Sequence, residues 1–185
     1  SRLASGSYDK TIRLWDLVSG ACVAMLEGLE QGALEATLAA VALSPGAETL
    51  VRTMAGNGVH TVLVSGGFGF FTEPVAAMAG FDETRSNRFE IADGRLTGRV
   101  IEPILGPEAK LETLTGLSAE RQISLARTLA IGDGANDAPM IRAAGLGIAY
   151  RGKPVAREAA RARIEACGLT AALYMQGYRR DEFAR

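Results

Sequence analysis

Apolar and polar positions alternate at period two over residues 11–17, where Ile12 and Leu14 interleave with Thr11, Arg13 and Trp15, and this predicts a β-strand. Ser19-Gly20 turns the chain, and residues 21–26 form a second expected strand. From Leu29 the pattern changes. The stretch 29–43, LEQGALEATLAAVAL, spaces Leu34, Leu38 and Val41 three or four apart, the period of an amphipathic helix. Ser44-Pro45-Gly46 stops it, residues 47–54 form a further helix ended by Asn57-Gly58, and the β-branched run 59–64 reads as a buried strand. Beyond it the pattern predicts a helix over 70–79, a hairpin over 87–100 about Ala92-Asp93-Gly94, and a helix over 107–117. The remainder reads as a strand at 128–131, a helix at 136–144, a strand at 146–150, a helix at 154–160, an edge strand at 163–165 and a helix at 169–175. Helices alternating with short apolar strands predict an α/β fold built on a parallel sheet.

The 185 residues are 48% apolar and 22% charged with a formal net charge of −1, the balance of an ordinary globular chain long enough to bury a core. Its 20 basic residues are interleaved with 21 acidic ones, which argues against a nucleic-acid partner. No apolar run approaches the roughly 20 residues of a membrane helix. Cys22 and Cys167 lack metal-site spacing, and with no secretory signal a reduced, cytoplasmic setting is expected. The absence of an initial Met suggests a fragment of a longer chain.

Candidate chemistry gathers at two strand ends. Residues 128–140, TLAIGDGANDAPM, deliver a loop to a helix, and Asp133 and Asp137 flank its Gly-Ala-Asn, so hard oxygen ligands converge where magnesium would be suited. Ser65-Gly66-Gly67-Phe68 follows an earlier strand, where glycine lets the backbone approach an anion such as phosphate. Lys110, on the helix between them, could neutralise phosphate charge. His60 matches no motif and reads as structural.

In that order these three elements resemble motifs two to four of the haloacid dehalogenase superfamily of phosphohydrolases. More narrowly, VSGGF, FDETRSNRFEIADGRLTGRV, AKLETL, IGDGANDAPM and AGLGIAYRGKP are similar to the phosphoserine phosphatase family over about residues 29–183. The resemblance implies a Rossmann-like parallel sheet flanked by helices, and magnesium-dependent hydrolysis of O-phosphoserine, a small-molecule phosphomonoester. It implies that Ser65 donates its hydroxyl and Gly66 its N–H to the phosphoryl group, and that Lys110 balances charge. Asp133 would bind magnesium, Asp137 would support the metal or hold Lys110, and Asn136 would contact substrate.

The family's first motif, the Asp-x-Asp strand carrying the nucleophile, is absent, as is most of the cap, of which residues 29–44 are a remnant. Impaired turnover or inactivity is the expectation, with a non-catalytic phosphate- and metal-binding remnant as the alternative. Residues 3–27, in place of the missing parts, resemble one partial WD repeat, so a WD-repeat interaction fusion is a further alternative. Residues 1–28 are expected to form no independent domain, and 29–185 to form the phosphatase-like one. Within residues 12–20, IRLWDLVSG, Asp16 ends a strand as the missing motif does and is the candidate substitute nucleophile if this strand fills the central slot of the sheet. Against this stand Val18 and Gly20 at the places of the motif's second Asp and its hydroxyl residue, and Arg13 in what would be a buried strand.

Overall fold

The computed structural model describes residues 2–6, 12–16, 22–25, 35, 38, 39, 41–106 and 108–184. The chain divides into two compact units, Ser1–Ala42 with Thr61–Gly106, and Leu43–His60 with Pro107–Arg185.

In the first unit, β1 (Arg2–Gly6), β2 (Ile12–Asp16) and β3 (Cys22–Met25) form an antiparallel sheet with β2 in the middle. The strands expected at 11–17 and 21–26 are β2 and β3, whereas β1 was not legible from its residues; the Ser19-Gly20 turn lies outside the described residues. Arg2 pairs with Asp16 and Leu3 with Trp15 on one edge of β2, and Arg13 pairs with Met25 on the other. A strand has two edges, and both edges of β2 are taken within this sheet. The expectation that residues 12–20 fill a central slot in the parallel sheet is therefore corrected: β2 is not part of that sheet. Glu35, Leu38 and Ala39 are helical, in keeping with the amphipathic pattern there.

The same unit holds β4 (Val62–Phe68), α2 (Gly69–Ala79), β5 (Glu83–Ala92) and β6 (Arg95–Ile101). Strand β5 is central, parallel to β4 and antiparallel to β6. Expected at 59–64, β4 starts and ends later. Thr61 is tied before the ladder begins, its N–H and hydroxyl both donating to Asp82 Oδ2 at 2.7 and 2.8 Å. The hairpin turns at Asp93 and Gly94, whose φ values of 50° and 72° are the two positive angles that a tight two-residue turn between twisted strands requires. Phe68 stacks on Phe89 with ring centroids 3.9 Å apart, and Leu96 and Val100 complete this core.

The second unit contains α1 (Ala47–Gly56), α3 (Ala109–Glu120), β7 (Leu129–Gly132), α4 (Ala138–Ala143), β8 (Leu146–Tyr150), α5 (Pro154–Ala159), β9 (Ala162–Ile164) and α6 (Ala171–Met175). Its strands are all parallel, in the order β7-β8-β9. Neighbouring residues on a strand point to opposite faces. Ile148 accordingly packs with Leu50, Met54 and Leu173 of α1 and α6, while Ala149 packs with Ala138, Ile141 and Ala156 of α4 and α5. Helices thus cover both faces of β8, the arrangement a parallel sheet needs and the α/β architecture expected. The start of the helix expected at 107 falls at Pro107, outside the described residues. The helix expected from 136 begins only at Ala138, because the preceding residues build the loop described next.

Candidate active site

Strand β7 ends at Gly132, and the chain then folds back on the carboxylate of Asp137. Asp137 Oδ2 accepts hydrogen bonds from the backbone N–H groups of Asp133, at 3.0 Å, and Gly134, at 2.9 Å. Its other oxygen, Oδ1, accepts from Lys110 Nζ on α3. The Asp137 side chain is 4% exposed and that of Lys110 17%, so the pair sits largely out of water. A carboxylate buried to this degree is tolerable because each oxygen has a donor and the charge has a partner.

Gly132 is part of the same construction. A Cβ there would lie 2.4 Å from both Cβ and Cγ of Asp137, so the space a side chain would need is already filled by the aspartate. The sequence shows a glycine after a strand; it does not show that a side chain further along occupies its Cβ position. From the β8–α5 connection, Lys153 N–H donates to Asp133 O at 2.8 Å and holds the loop from its far side.

This leaves Asp133, Ala135 and Asn136 exposed on the loop, of which Asp133 and Asn136 carry the polar side chains. Among the described residues no hydrogen bond or ion pair engages the Asp133 carboxylate. The two aspartates expected to bind metal thus stand differently: Asp137 has both oxygens engaged and holds Lys110, and Asp133 presents a free carboxylate outward. Among the described residues no group of three or more His, Cys, Asp or Glu side chains converges as a metal cluster. Magnesium is commonly held through one or two carboxylates together with water and substrate phosphate, and a single hard oxygen ligand on a fixed loop fits that mode.

Ser65 and Gly66 belong to the first unit. Strand β4 advances from Val64 to Phe68 while β5 advances only from Arg85 to Asn87, so Ser65-Gly66-Gly67 bulges out of the parallel ladder. Ser65 Oγ accepts from Gly67 N–H at 3.0 Å, which leaves its hydroxyl proton available to another acceptor. Gly66 is exposed, and a Cβ on it would meet nothing within 4 Å, so the space beside its backbone is open. Asp16, the candidate nucleophile, ends β2 in the antiparallel sheet, opposite Arg2. His60 is half-buried in the segment before β4 and belongs to neither constellation.

A family model described as haloacid dehalogenase-like hydrolase matches residues 13–142. A phosphoserine phosphatase of Streptomyces coelicolor is 43% identical over 160 residues, 86% of this chain and 39% of that protein. One from Idiomarina loihiensis is 42% identical over 132 residues, 71% of this chain and 60% of that protein. Among solved structures, one described as a phospho-aspartyl intermediate analogue of phosphoserine phosphatase superposes with a TM-score of 0.76 at 34% identity, covering 81% of this chain and 72% of that one. The chain therefore spans less than two thirds of the length of the Streptomyces and Idiomarina proteins. The family match takes in residues 13–27, most of the stretch likened to a WD repeat, and that reading gains no support from these relatives. With the β7 loop closed on Asp137 and Lys110, and with likeness of this extent in both sequence and structure, the chain belongs to the haloacid dehalogenase-like hydrolases, within their phosphoserine phosphatase family.

Proposed function

We propose that this chain carries the phosphate- and magnesium-binding part of a phosphoserine phosphatase, binds O-phosphoserine as a phosphomonoester, and hydrolyses it slowly or not at all. The observation that carries this reading is the buried Lys110–Asp137 pair clamping a loop that turns Asp133 outward. Phosphoryl transfer depends mainly on positioning and on stabilising charge, and an ammonium held in place by a carboxylate is a preorganised countercharge. In the second unit Lys110 faces phosphate charge, Asp137 keeps its ammonium in place, Asp133 holds the metal and Asn136 contacts substrate. By likeness to the family, the Ser65 hydroxyl and the Gly66 N–H of the first unit are neutral groups of the kind that donate to phosphate. Magnesium, when bound, would supply positive charge to those oxygens.

The expectation of weak turnover is supported by the missing Asp-x-Asp motif and by the placement of β2, whose edges are both bonded within the antiparallel sheet. Loss of a catalytic nucleophile can cost about a millionfold in turnover. The test is magnesium-dependent phosphate release from O-phosphoserine by the chain and by Asp16→Asn, Lys110→Met and Asp133→Asn. Release near the blank for all four is the expected result. Release that Asp16→Asn abolishes would make Asp16 a nucleophile after all and the chain an active phosphatase.

A further inference from the structure

The Ser65-Gly66-Gly67 bulge has to be held in shape, since residues lifted out of a ladder lose the bonds that would otherwise fix them. Asn87, on β5, is 3% exposed, and its amide makes one hydrogen bond at each end. Its Nδ2 donates to Gly66 O at 2.9 Å, and its Oδ1 accepts from Leu105 N–H at 2.7 Å. The two bonds are mutually consistent, because an N–H at Leu105 needs an oxygen and a carbonyl at Gly66 needs a donor.

The Gly66 carbonyl and the Gly67 N–H belong to one planar peptide group. Asn87 holds its oxygen, and Ser65 Oγ accepts from its nitrogen at 3.0 Å. Fixing the carbonyl fixes the direction of the N–H, and the N–H in turn occupies a lone pair of the Ser65 hydroxyl. We infer that Asn87 is a positioning residue for the phosphate-binding bulge: through the Gly66–Gly67 peptide it sets the orientation of the Ser65 hydroxyl, whose proton is thereby directed to the phosphoryl oxygens.

The inference rests on the reading of Ser65 as a phosphate donor, and the experiment separates the two. Isotope-labelled full chain is compared with Asn87→Asp and Asn87→Leu by amide resonances and hydrogen exchange, and each is titrated with inorganic phosphate. Asn87→Asp keeps an oxygen for Leu105 N–H but sets an oxygen against Gly66 O. The expected signature is a shifted, faster-exchanging Gly67 amide with Leu105 unmoved, and phosphate affinity about tenfold weaker, the loss of roughly one hydrogen bond. Should the buried charge prevent folding, Asn87→Leu, which removes both bonds at similar volume, is expected to move both amides and weaken phosphate to a similar degree. A residue that only fills space would lower the melting temperature while leaving the Gly67 and Leu105 amides and the phosphate affinity unmoved. A folded variant with Gly67 and phosphate affinity unchanged overturns the inference. If the parent chain itself binds no phosphate, the reading of Ser65 fails, and the Gly67 signature still decides whether Asn87 orients the bulge.

Discussion

Asp137 and Asp133 are four positions apart and have opposite duties. Asp137 is an internal organiser whose two oxygens take three donors, Lys110 Nζ and the N–H groups of Asp133 and Gly134. Asp133 contributes its backbone to that arrangement and its carboxylate to the outside. Asp137→Ala therefore strands a largely buried ammonium and is expected to cost about 3–5 kcal/mol, read as a marked fall in melting temperature. Asp133→Asn is expected to change stability by less than about 0.5 kcal/mol, the usual scale for an exposed polar swap, yet to remove magnesium binding as read by titration calorimetry. Equal stability losses in the two variants would contradict this division. Both aspartates were legible in the sequence because they bracket a glycine-rich loop after an apolar strand. Gly132 and Asn87 were not legible in their roles, since what defines them is the company they keep in space. Asn87 bonds to Gly66 and Leu105, each well removed along the chain, and nothing local marks that.

Periodicity reported the elements well where one strand or helix meets one environment. The hairpin of β5 and β6 turned at Asp93-Gly94 as its turn chemistry predicts, and β8 occupies the expected residues. The boundaries of β4 were displaced because the Thr61–Asp82 bonds hold the chain before the ladder, and because the strand continues through glycines that by propensity should end it. Glycines in these elements fall into two classes. At Gly147 on β8 an added Cβ would lie 2.0 Å from Ile141 O, a backbone atom of α4 that cannot step aside. Gly147→Ala is expected to destabilise the second unit by at least about 2 kcal/mol, as overpacking against a fixed backbone does, measured by denaturant unfolding. At Gly66 the space is open, so Gly66→Ala is expected to leave the melting temperature unchanged while weakening inorganic phosphate binding, because the new methyl stands where the ligand approaches. A Gly66→Ala chain that binds phosphate as the parent does would show that the bulge is not a ligand cradle.

For the whole molecule, alternation of helix and strand was enough to indicate the α/β class. The division into units was not readable, since each unit is assembled from separated segments, with Leu43–His60 joining Pro107–Arg185. A change in composition near residue 28 is a local signal, and contacts between distant segments leave no such trace. Membership of the phosphoserine phosphatase family rests on motifs that survive in this chain together with their supporting contacts. The expected weakness in turnover rests on a motif that is missing. These two halves of the account are tested together by phosphorus NMR of O-phosphoserine titrated with the chain in the presence and absence of magnesium. Binding perturbs the phosphoserine resonance, and hydrolysis produces a separate inorganic phosphate signal. The account predicts a saturable, magnesium-dependent perturbation that Lys110→Met abolishes, with almost no inorganic phosphate formed over hours. An unperturbed resonance at every magnesium concentration, or rapid appearance of inorganic phosphate, would contradict it.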